Sequence, residues 1–158
     1  MGLSSRLKGV ETGNLLIDAQ AAFARQRRRR RVERTVSWLL GRRCAHRLMS
    51  LDDVLGSRPP ALRRVTGLEA IPLGSVVGTA EPSKARVFDG HFRVPESSRR
   101  RWEGLWLANR RGAPVPPISV FRVGDRHYVD DGHHRVSVAH ALGMAAIDAE
   151  VTVLKSGG

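Results

Sequence analysis

A single cysteine, Cys44, occurs in the 158 residues. An internal disulfide is therefore excluded, and so is a zinc site built from several thiolates. One thiol and no framework fit a reducing compartment. No run of apolar residues approaches the length that spans a bilayer. Near the N-terminus Arg6 and Lys8 are followed by Glu11 and Asp18, without the apolar core of a secretion signal. A cytoplasmic location without a membrane partner is expected. No internal repeat is present.

Acidic residues are scarce, and unevenly so. Residues 1–64 hold 15 Lys and Arg against 5 Asp and Glu, whereas residues 65–158 hold 12 against 10. Nearly all of the net charge of +12 thus belongs to the first part. Such asymmetry points to a polyanionic partner for that part alone. Its centre is the run Arg27, Arg28, Arg29, Arg30 and Arg31. Leu15, Ala19, Ala22 and Phe23 precede the run at helical spacing. Val32, Val36, Leu39, Leu40 and Cys44 continue a second stripe after it. Mutual repulsion predicts a frayed turn at the arginines, a solvated link between two helical pieces, unless a polyanion such as DNA neutralises them. Residues 1–13, with glycines at 2, 9 and 13, are expected to be disordered.

Ser50 heads a short acidic helix closed by Gly56, and Gly56 to Pro60 marks a boundary. The expected organisation is a basic helical arm over 1–64 and a compact domain over 65–158. Within the latter, 68–73 and 75–78 read as strands and 79–96 as an irregular loop. A helix runs from Ser97 or Ser98 to about Arg110, burying Trp102, Leu105 and Trp106 and leaving Arg99, Arg100, Arg101, Arg110 and Arg111 to solvent or a ligand. Strands follow at 118–121 and 127–129 around a Gly124-Asp125 turn. A helix begins after Gly132 and ends at Gly143, with Val138, Ala141, Leu142 and Ala145 as its buried face. Residues 147–153 alternate as a last strand. The fold class is α+β: a small mixed sheet with packed helices, preceded by the arm.

Chemistry concentrates at Asp130-Asp131-Gly132-His133-His134-Arg135. Gly132 leaves room for close approach to the backbone. The following helix start presents unpaired N–H groups, and Arg135 offers a fork for phosphate. One of Asp130 and Asp131 is expected to cap the helix, the other to stand near a phosphate-bound Mg²⁺. The histidines are too far apart along the helix for zinc, so no resident metal is expected.

Pro117-Ile118-Ser119-Val120, the Gly124 turn, Val129-Asp130-Asp131-Gly132-His133-His134-Arg135 and the helix ending Leu142-Gly143 resemble the ParB/sulfiredoxin-like superfamily, in particular the ParB-like N-terminal (ParB-like nuclease) domain. The resemblance covers roughly residues 66–154. It implies that Gly132, His133, His134 and Arg135 bind a nucleotide, CTP or ATP/ADP with Mg²⁺. His133 and His134 stand where partition proteins have Glu and Arg. His133 also replaces the sulfiredoxin cysteine, so sulfiredoxin redox chemistry is not expected. The resemblance to free-serine kinases implies Glu81 as a general base, with Asp131 and His134 as further catalytic candidates. The reading is a nucleotide-binding protein whose arm contacts DNA; the alternative is a nucleotide-dependent kinase acting on a small, serine-like molecule. A homodimer is a further expectation.

Overall fold

The computed structural model describes residues 11–41, 47–56 and 62–155. Cys44, the first ten residues and most of the 56–60 boundary lie outside them.

Helix α1 (Leu15–Leu39) starts where the sequence supplies a cap. Asn14 Oδ1 accepts from Leu16 N at 3.0 Å, and Asp18 in the first turn accepts from Thr12 N and Thr12 Oγ1, both at 2.9 Å. The helix then runs unbroken through the arginines. The fray expected from repulsion is absent because two of the five charges turn onto the protein. Arg27 Nη1 meets Glu96 at 2.6 Å, and Arg30 Nη2 donates to Val87 O at 3.0 Å. Ala19, Ala22 and Phe23 are buried, with Phe23 edge-on to Trp102 at 5.5 Å between ring centroids. Gln26, also buried, exchanges two hydrogen bonds with the Val94 backbone, at 3.4 and 3.2 Å. The second stripe behaves differently: Val32, Val36, Leu39 and Leu40 are exposed.

The sheet comprises β1 (Met49–Ser50), β2 (Leu62–Pro72), β3 (Val76–Thr79), β4 (Ile118–Val123), β5 (Arg126–Asp131) and β6 (Ala146–Lys155). Its order is β1-β3-β5-β4-β6-β2. Pairs β1–β3, β3–β5 and β4–β6 are parallel, whereas β4–β5 and β2–β6 are antiparallel. The β4–β5 hairpin turns on Gly124 at φ +59°, the glycine that a two-residue type II′ turn needs first. Short helix α2 (Leu51–Leu55) follows β1, and α3 (Lys84–Val87) interrupts the segment expected to be irregular. Helices α4 (Arg99–Arg110) and α5 (His133–Leu142) lie between strands in sequence, and α4 packs against both α1 and α5. The mixed α+β class expected from the sequence is the one observed.

The main core joins Phe23 of α1 to Trp102 and Trp106 of α4, Val136 and Val138 of α5, and Ile118, Val129 and Val151 of the sheet. A smaller cluster of Leu51, Tyr128 and Leu154 stands apart from it. The buried face of α5 differs from the expected one: it carries His133, Val136, Ser137, Val138 and Ala139, while Ala141 and Ala145 are exposed. Two polar residues disguised it. Ser137 Oγ accepts from Trp102 Nε1 at 2.9 Å, so a hydroxyl sits inside at little cost. Among the described residues no helix is long and apolar enough to cross a membrane.

Candidate functional site

β5 ends at Asp131, and α5 begins after Gly132. Gly132 has φ +108°, and a Cβ there would stand 2.5 Å from Ile118 Cγ2 and 3.2 Å from Arg135 Cζ. Only glycine suits this position, through both its dihedral and its packing. The glycine also leaves the helix uncapped: among the described residues no side chain accepts from its first turn. Neither aspartate caps it, contrary to expectation. Asp131 is drawn instead to Arg135, one helical turn on, whose Nη2 donates to it. Arg135 Nη1 also donates to the carbonyls of Pro116 and Pro117, at 3.0 Å for Pro116. Arg135 is thus a staple between the turn and the strand lead-in, with much of its donor capacity already engaged.

The two histidines part company. His133 is buried (4% exposed), with Nε2 at 2.7 Å from Thr79 Oγ1 and its ring packed against Phe88 and Phe92. The same hydroxyl accepts from Glu81 N at 2.9 Å, tying β3 to the turn. Burial pushes the His133 pKa down to about 4, assisted by nearby Lys84 and opposed by Glu81 and Asp131. His134 is half-buried, edge-on to Phe88 at 5.1 Å between centroids. Burial first, then Arg101 and Lys84, lowers its pKa to about 4 as well. Both rings are neutral near pH 7, so neither supplies positive charge to an anion.

The first turn of α5 forms one wall of a 240 Å³ cavity. Asp131, Gly132, His133, His134 and Arg135 line it, together with Glu81, Lys84 and Arg101. The structure therefore brings Glu81 to the turn from fifty residues away. Glu81 is exposed, and its Oε1 accepts from Ser83 Oγ at 2.7 Å. Lys84 was not singled out by sequence, because a lone lysine in a loop carries no pattern. Arg101 was expected on the outer face of α4, left to solvent or a ligand, and α4 presents it to this cavity. With Asp131 and Arg135 paired to each other, Lys84 and Arg101 are the cations left facing the helix start. Among the described residues no three or more His, Cys, Asp or Glu side chains gather as a metal site would require.

The arginine run lies elsewhere. Arg28, Arg29 and Arg31 are exposed, while Arg27 and Arg30 make the protein contacts already described. The Asp89-Gly90-His91 turn is architectural: Asp89 Oδ1 accepts from His91 N and Arg93 N at 3.0 and 2.9 Å.

No protein-family model matches the chain, and no curated protein matches it. Among solved structures the chain is similar to the sulfiredoxin of Arabidopsis thaliana, with 20% identity and a TM-score of 0.40, over 53% of this chain and 82% of that one.

Proposed function

We propose that the cavity at the start of α5 binds the phosphates of a nucleotide, and that α1 contacts DNA through Arg28, Arg29 and Arg31. One observation carries the first half: an uncapped helix start facing a cavity that also holds Lys84 and Arg101. Unpaired backbone N–H groups and two cations from separate elements are the chemistry that a phosphate chain recruits. CTP, ATP and ADP share that chain, and the groups present fit it. The Mg²⁺ that accompanies such a ligand would find Glu81 and Asp131 as the carboxylates on the cavity wall. Arg135 acts as the brace that shapes the turn, and His133 as its buried pin.

Isothermal titration with CTP, ATP and ADP in Mg²⁺ tests this reading. A charged hydrogen bond contributes about 1.5–3 kcal/mol, so Arg101→Ala and Lys84→Ala should each weaken binding about 10- to 150-fold. Equal affinity in both variants and the parent would refute the site.

A second reading is favoured by Glu81 itself. A carboxylate lining the same cavity as the proposed phosphate-binding groups would take the proton of a substrate hydroxyl as a phosphoryl group is transferred. This is the kinase alternative, with a small serine-like acceptor. Its test is nucleotide turnover dependent on the acceptor. Glu81→Gln should abolish turnover, while nucleotide affinity measured without Mg²⁺ should stay within a few-fold of the parent.

A further inference from the structure

A second cavity, of 560 Å³, lies between the C-terminal half of α1 and α3 with the residues that follow it. Arg30, Arg34 and Trp38 enter it from one face of α1 at i, i+4, i+8 spacing. Arg86 and Asp89 come from the opposite side, and Arg47 joins through a backbone bridge to Asp89. Four arginine residues thus share the lining of this cavity with one aspartate. That carboxylate is already engaged by two backbone N–H groups and by Arg93, at 3.7 Å. Arg30 Nη1 is buried without a hydrogen-bond partner among the described residues. Burial and the charges of Arg34, Arg27 and Arg93 lower the Arg30 pKa against the pull of Asp89. Arg34, Arg47 and Arg86 form no ion pair among the described residues. The segments outside those residues contain no Asp or Glu side chain that could neutralise them. The cluster is an uncompensated cationic bowl, and its complement is an anion.

The indole on its rim narrows the choice. Trp38 is 80% exposed, whereas Trp102 and Trp106 are in the core at 0% and 5%. Guanidinium groups hold phosphates, and an exposed aromatic face stacks on an unpaired base. A cavity of this size lies within the roughly 300–1,000 Å³ range of small-ligand sites, enough for one nucleotide unit of a strand. A recessed bowl suits such a unit better than it suits a flat bilayer surface.

We propose that this cavity binds single-stranded nucleic acid, with phosphates held by Arg34, Arg47 and Arg86 and a base stacked on Trp38. The inference rests on the reading of α1 as a nucleic-acid arm, but moves the specific contact from the outward arginines to a different face of the helix.

The test is fluorescence anisotropy of the whole protein with labelled oligothymidylate, oligouridylate and a duplex of equal length, across a salt series. Trp38→Ala should weaken single-strand binding about 5- to 150-fold and leave the salt slope unchanged. Trp38→Phe should recover part of the loss. Arg34→Ala combined with Arg86→Ala should reduce the slope of log K against log salt by about 1.4. These side chains are exposed, and unchanged far-UV circular dichroism confirms that the fold is kept. If both sets bind single strands like the parent while Arg28→Ala/Arg29→Ala/Arg31→Ala loses duplex and single strand alike, this inference falls and the arm reading stands. If the parent binds no nucleic acid, both fall. Trp38-dependent binding to phosphatidylserine vesicles, without oligonucleotide binding, would overturn the inference and assign the bowl to a membrane surface.

Discussion

Lowering the pH below about 6.5 should destabilise this protein through His133. The ring is buried against Phe88 and Phe92, bonded to Thr79, and held to a pKa of about 4. In the unfolded chain the same ring titrates near the ordinary value of about 6.5. The unfolded state therefore binds the proton first. Stability from the neutral ring is complete above about pH 6.5 and is lost progressively as the pH falls toward about 4. Between about pH 7.5 and about pH 5 the unfolded state gains about 2.0 kcal/mol from this proton and the folded state less than about 0.1, a net loss of about 2 kcal/mol. His134, depressed to a similar value, adds a loss of the same sign, smaller because the ring is only half-buried. For a chain of this length each kcal/mol shifts the midpoint by roughly 2–4 °C, so the His133 share is about 4–8 °C. The assay is urea unfolding at the two pH values for the parent and His133→Gln. Gln keeps a polar group for Thr79 but cannot titrate. It will be less stable at both pH values, because it packs less well on the two phenylalanines. Its loss between them, however, should be about 2 kcal/mol smaller than the parent's. An identical pH dependence in the two proteins would mean that His133 is solvated or protonated in the folded state. The assignment of the ring as a neutral pin would then be wrong.

Other outcomes follow from the same contacts. Gly132→Ala must force a Cβ against Ile118 at a positive φ; a loss of at least about 2 kcal/mol in chemical unfolding is expected, with nucleotide binding lost as well. Thr79→Val removes the hydroxyl shared by His133 Nε2 and Glu81 N, and the buried group left unpaired should cost about 1–3 kcal/mol by the same assay. Phe23→Ala should cost about 3–5 kcal/mol, since the ring is buried edge-on to Trp102; a cost under about 1 kcal/mol would show α1 to be a detachable appendage.

Much of the scaffold was legible because it obeys local rules. Gly124, Gly132 and Gly143 each stand at a positive φ that favours glycine, and alternation marked β6. What was illegible depended on partners distant in sequence. Repulsion within the arginine run argues for a break in α1, and the contacts that prevent it lie at Glu96 and Val87. The buried face of α5 was misplaced because His133 and Ser137 look like surface residues until Thr79 and Trp102 are brought to them. The apolar stripe after the run had the spacing of a buried face, yet no element covers it among the described residues. Periodicity reports which residues share a face; it does not report what packs there.

The turn that drew attention in the sequence owes its shape to residues that the same shape withholds from chemistry. Arg135 has the geometry to clasp a phosphate, but its donors go to Asp131, Pro116 and Pro117. His133 has the pKa range of a catalytic base in water, but burial drives it out of that range and fixes it to Thr79. A histidine of such low basicity, 4% exposed and bonded through Nε2 to Thr79, is a poor base for a ligand at the rim. The groups with charge to spend are those the turn motif does not contain: Lys84 from α3, Arg101 from α4 and Glu81 from the end of β3. Substituting these three should alter binding or turnover while leaving stability nearly intact, because all three side chains line the cavity and none belongs to the buried core. Substituting Gly132, His133 or Arg135 should do the reverse, lowering stability first and function only in consequence. The two classes separate in a single comparison of unfolding midpoint against ligand affinity. A loss of affinity at Arg135→Lys with no change in midpoint would place Arg135 back among the ligand-binding groups.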